Sequence, residues 1–111
     1  MRLATEFRHD SWFHAEIYRL LARHCVALCI ADGLRHARKD VVTTDFAYLR
    51  YHGRTPVSAP DYSEIALRRE AAMIRRFAEQ GINVYAYFNN DAQGHAVKNA
   101  NMLRSLVMSE R

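Results

Sequence analysis

Four short segments rich in β-branched and aromatic residues alternate along the chain with stretches of helical spacing, and each of the four ends in polar or charged residues. The segments are Leu3–His9, Val26–Asp32, Phe46–Gly53 and Ile82–Asn89. Ser11 is placed to cap a helix carrying Ile17, Leu20, Leu21 and His24. Ser63 opens a second helix, with Leu67, Ala71, Ile74, Phe77 and Ala78 on one face and Gly81 as its stop. A third helix is predicted from about Gln93 to Ser109, with Ala96, Ala100, Leu103 and Val107 in line. Residues 33–44 are too weakly patterned to predict a helix. Repeated strand and helix of this kind implies an α/β fold with a parallel sheet covered by helices. Four such strands form either a small open sheet or part of a (β/α)8 barrel of the TIM type.

The 111 residues, half of them hydrophobic, suit one domain over residues 1–111 with a modest core. No apolar run is long enough to span a bilayer and no basic-then-apolar leader is present, so a cytoplasmic protein with no membrane partner is expected. The net charge of +4 is spread over Arg35–Lys39, Arg68/Arg69 and Arg75/Arg76, the last two pairs interleaved with Glu64, Glu70 and Glu79. That is the pattern of a solvated helix face and lacks the interleaved aromatics of a nucleic-acid stripe, so nucleic acid is not an expected partner. Cys25 and Cys29, in an extended segment, lie roughly 13 Å apart, too far for a disulfide, and read as two reduced core thiols.

In parallel α/β sheets, ligands bind beyond the carboxyl ends of the strands. Collected there are Glu6, Arg8 and His9; Asp32; Arg50 and His52; and Asn89, Asn90 and Asp91. Alternation puts Glu6 with Arg8, and Tyr48 with Arg50 and His52, on shared faces, leaving Phe7 and Leu49 toward the helices. Two readings of Glu6 and Arg8 stand: a structural ion-pair layer at the barrel top, or part of a site. His52 precedes Gly53 and Arg54, so this loop offers an imidazole and two arginines to an anion. The start of the last helix, just after Asp91, offers N–H groups to the same anion, although Asn89 and Asn90 serve turn and cap chemistry equally well. The resulting expectation is a small anionic ligand held by Arg8, His9, Arg50, Arg54, Asn89, Asn90 and Asp91, with His52, Glu6 and Asp32 as the acid-base group and its orienters. Trp12 and Phe13, just past the first strand, read as cover for the mouth. No dense metal-ligand signature occurs, and no cofactor is implied.

The stretches "EFRHDSW" (6–12), "CIAD" (29–32), "TTDFAYLRYHG" (43–53) and "YFNNDAQGHAVKNA" (87–100) resemble the YecE-like proteins, domain of unknown function 72. The resemblance implies the last four strands of an eight-stranded α/β barrel, with Glu6, Arg8, His9, Asp32, Arg50, His52, Asn89, Asn90 and Asp91 on the family's motif positions. It implies no substrate. Family members are about twice as long, so a partner is expected at the open sheet. That partner is either a missing barrel half or a second copy, packed on an inward face expected to carry Leu28, Ile30, Tyr48, Tyr85 and Tyr87.

Overall fold

The computed structural model describes residues 1–33, 38–53, 62–90 and 94–109. Its four strands, β1 (Leu3–Thr5), β2 (Val26–Gly33), β3 (Phe46–Gly53) and β4 (Asn83–Phe88), lie side by side in chain order. Every pairing is parallel. Helices α1 (Ala15–Arg23), α2 (Glu64–Glu79) and α3 (His95–Ser109) complete the α/β arrangement, a partial barrel whose sheet is not closed. Residues 38–45 contain no helix.

The core lies between the sheet and α2 with α3. Ile30, Leu49 and Tyr51 project from the strands onto Leu67, Ala71 and Ile74 of α2 and Leu103 of α3. Ser63 caps α2 as predicted, its Oγ accepting the Ala66 N–H at 3.1 Å. At the other end Gly81 adopts φ +79°, and the Gly81 and Ile82 N–H groups bond the carbonyls of Ala78 and Phe77. This is a Schellman stop, which glycine enters without Cβ strain. The buried face of α2 includes Met73 rather than Ala78, which is exposed; on α3, Asn99 and Leu106 are buried and Ala100 is exposed.

Three strand-level expectations change. β1 covers three residues, so Glu6, Arg8 and His9 follow it rather than lie within it. Leu28 and Ile30 do not point into the open face. Ile30 belongs to the core under α2, and the period of two puts Leu28 and Asp32 with it. The open face of β2 instead carries Ala27, Cys29 and Ala31. Cys25 is exposed at φ +55°, ahead of the strand, and only Cys29 is a buried thiol.

The first helical unit also differs. His9, not Ser11, caps a short 3-10 turn over Asp10–Trp12, and α1 starts only at Ala15. No residue of α1 is buried, and Leu20 is 47% exposed. Phe7 stacks on Trp12 at 4.9 Å and meets Phe13 edge-on at 6.2 Å, so these rings close the β1–α1 connection on itself.

Candidate functional site

On the open face of the sheet, four segments bring their polar residues to one end. β3 supplies Arg50 and His52 two residues apart; β1 leads into Glu6 and Arg8; β2 adds Cys29; Asn89 follows β4. Glu6 is the hub. Its Oε1 lies 3.0 Å from His52 Nε2 and accepts the Cys29 thiol at 3.5 Å. Its Oε2 accepts Arg8 at 2.8 Å and Arg50 at 3.4 Å. Arg50 also donates from Nε and Nη2 to Asn89 Oδ1, at 3.3 and 3.2 Å, tying β4 to the cluster.

The electrostatics set each proton. Burial pushes the Glu6 carboxyl up, but the His52 hydrogen bond and the charges of His52, Arg8 and Arg50 outweigh it and hold the group below its ordinary value. Glu6 is therefore an anion at neutral pH and can only accept, so His52 Nε2 must carry a hydrogen. A neutral His52 then has its lone pair on Nδ1, a tautomer fixed by the carboxylate. Burial and the Glu6 charge push the Cys29 thiol up to about 12, so it stays protonated and is no nucleophile. Alkylation under native conditions is accordingly expected to modify Cys25 quickly and Cys29 only on unfolding. Two equally fast thiols by mass spectrometry would contradict this placement.

The structure thus brings together Glu6, Arg8, Arg50, His52 and Asn89, and places His9, Asn90 and Asp32 elsewhere. His9 is exposed and bonds Ser11, as Nδ1 to Oγ at 2.8 Å and from the Ser11 N–H at 3.2 Å. Asn90 is buried on the helix side, donating to Asn99 Oδ1 at 2.8 Å. Arg54 and Asp91 lie outside the described residues.

Asp32 must be reassigned, because its side chain points through the sheet to the helix layer and cannot orient His52. Its carboxylate accepts Arg38 at 3.1 Å and the Tyr62 hydroxyl at 2.8 Å, while Tyr62 in turn accepts the Gly53 N–H at 2.9 Å. Arg38 grips Glu70 with two bonds, at 2.9 and 3.2 Å, and Asp40 at 2.7 Å. Tyr51 donates to Glu70 at 2.7 Å. Burial works against the Arg38 charge, but the Glu70 and Asp40 bonds overcome it and raise its pKa; burial and Glu70 raise that of Tyr51. Both stay protonated, as a structural network requires. The pattern held a signal for this second cluster: Leu28, Ile30 and Asp32 share one period, so the face that buries the first two takes the third.

Toward the other end of the open face, Arg2, Ala4, Phe46, Tyr48, Tyr85 and Tyr87 line a hollow of about 260 Å³. The Arg2 guanidinium lies 5.0 Å from the Phe46 ring centre, and the Tyr48 and Tyr87 rings are 5.2 Å apart. Among the described residues no three His, Cys, Asp or Glu side chains are placed to hold a metal ion. None of the described helices is long and apolar enough to cross a membrane.

A family model described as "Protein of unknown function DUF72" matches residues 1–111. The chain superposes on a DUF72 family protein from Enterococcus faecalis V583 with a TM-score of 0.84 at 18% identity, over 96% of this chain and 47% of that one. It superposes on a DUF72 family protein from Thermotoga maritima MSB8 with a TM-score of 0.70 at 27% identity, over 100% of this chain and 47% of that one. The chain therefore spans about half the length of the solved structures it matches. No curated protein matches it.

Proposed function

Since the chain belongs to the DUF72 family, whose members are of unknown function, we propose that the carboxyl ends of its strands bind a small anionic ligand, possessing for example a phosphate or carboxylate group. The single observation that supports this is the convergence of Arg50, Arg8, His52 and Asn89 around one ionised carboxylate, Glu6. With Glu6 counted against the two arginines the cluster keeps one net positive charge, and Arg50 and Arg8 remain 31% and 64% exposed, within reach of an incoming anion. His52 is the acid-base group: Glu6 holds Nε2–H, and Nδ1 accepts or returns a proton. Glu6 orients the ring. Asp32 has no part in this site.

Inorganic phosphate is the simplest probe. It is expected to raise the melting temperature in a thermal-shift assay. Arg50→Ala should abolish the increase, while Arg68→Ala, which removes an exposed arginine that bonds Glu64 one turn back on α2, should retain it. Protection that survives Arg50→Ala would refute the site; so would a series of phosphate, sulfate and carboxylate anions that produces no shift.

A second reading, a partial barrel catalytically silent without a partner chain, is favoured by a different observation: Tyr85 and Tyr87 are 40% and 49% exposed on a sheet face that barrels normally pack. A folded protein without anion response that responds only after a partner binds would select it.

A further inference from the structure

Three separate features of the surface call for the same neighbour. The first is the sheet itself. β1 pairs only with β2, and β4 only with β3, so each outer strand has one free edge among the described strands. The second is the open face, with its aromatic hollow and half-exposed Tyr85 and Tyr87. The third is on the helix side. Along β4, Val84, Ala86 and Phe88 line a groove of about 210 Å³ with Leu103, Val107 and Met108 of α3. Along β1, Leu3 is 53% exposed, and no residue of α1, which packs beside β2, is buried.

We infer that a second copy of this chain covers all three by pairing its β1 parallel to β4, and its β4 to β1, closing an eight-stranded barrel around a two-fold axis. A two-fold along the barrel axis keeps every strand parallel, as the four present strands already are, and produces two identical seams. At each seam, Leu3 of one copy continues the outward apolar row of β4, beside Ala86, and α1 of one copy takes its place next to α3 of the other. The tyrosine hollow becomes barrel interior. This chain covers 47–49% of the length of the solved structures it matches, so two copies have about the length of one of them.

Closure also extends the candidate site. At a seam, the residues after β4 of one copy adjoin those after β1 of the other, so Arg8 of the second copy borders Asn89 and, through it, Arg50. The Arg8 side chain is 64% exposed, and this position gives it an anion to share between copies. The role of Arg8 rests on the proposed anion site; the closure does not.

Sedimentation velocity at low micromolar concentration tests the closure without any ligand. The expected species has twice the 12.9 kDa chain mass. Leu3→Glu and Tyr85→Glu, both at positions exposed in the single chain, should each return it to a single-chain mass with unchanged far-UV circular dichroism. A cooperatively melting wild-type monomer would overturn the inference. So would a dimer indifferent to both substitutions, or open polymers in place of a closed pair. Phosphate protection measured on the same samples separates the two proposals: a dimer without anion response leaves closure standing and removes the site, and an anion-responsive monomer does the reverse.

Discussion

Replacing Arg38 by methionine is expected to destabilise the fold by about 3–5 kcal/mol, the cost of removing one partner from a buried ion pair. The guanidinium touches three carboxylates, and two of them are shielded from water: the Asp32 side chain is 4% exposed and that of Glu70 16%. Methionine removes the cation that Asp32 and Glu70 share, along with the Nη2 contact to the Met73 sulfur, while the hydroxyls of Tyr62 and Tyr51 still donate to the two carboxylates. Each would then have to take up a proton on folding or pay for desolvation, which is where the energy is lost. Asp40, 49% exposed, is the internal control. Asp40→Asn should change stability by no more than about 0.5 kcal/mol, as surface substitutions do. Urea denaturation followed by tryptophan fluorescence and circular dichroism would measure both. A loss below about 1 kcal/mol for Arg38→Met would show that the network is hydrated rather than buried.

That network marks where sequence reasoning stops. β3 is legible to the residue, because its face toward the helices is apolar at Leu49 and Tyr51 while the other carries Arg50 and His52; alternation alone then delivers the site pair. α2 is equally legible from Ser63 to Gly81, since both caps are local chemistry. β2 is a different case. It is buried along nearly its whole length on both faces, so the sequence "VALCIADG" contains no polar alternation to say which face is which. Leu28 and Ile30, expected on the open face, lie on the helix side, and Asp32, expected in the site as the polar end of its strand, shares their period and goes with them. The partner of Asp32 could not be read either. Arg38 follows a segment with no helical or strand period, and only the tertiary fold brings it to Glu70, thirty-two residues away. Glu6, Arg8 and Asn89 lie beyond the ends of their strands: Asn89 reaches the cluster because β4 ends level with β3, where Tyr51 pairs with Phe88, whereas β1 ends at Thr5, level with Leu28, and the chain beyond it carries Glu6 to Cys29 and His52.

Glu6→Gln should separate the two roles that the candidate site assigns to its residues. Glutamine preserves size and one acceptor oxygen but removes the charge that His52, Arg8 and Arg50 share. At neutral pH the expected loss of stability is about 1–2 kcal/mol, between the value for buried and that for exposed pairs, because Glu6 is nearly covered while both arginines still reach solvent. The pH dependence gives the sharper test. The Glu6 pKa is lowered in the folded protein from the ordinary 4.5, so the unfolded chain takes up this proton first as pH falls. Its contribution is then complete above about pH 4.5 and drains away as the pH falls through the lower folded value. The stability difference between wild type and Glu6→Gln should therefore be constant from pH 6 to 8 and shrink in acid. A difference unchanged down to pH 3 would mean that the carboxylate is not coupled to its neighbours. The anion response should move the opposite way. Without Glu6 the cluster carries two net positive charges instead of one, so phosphate should protect the variant more strongly than the wild type, whereas Arg50→Ala loses protection altogether. A variant that is both less stable and less responsive to phosphate would make Glu6 part of the ligand seat, rather than the group that orients His52 behind it.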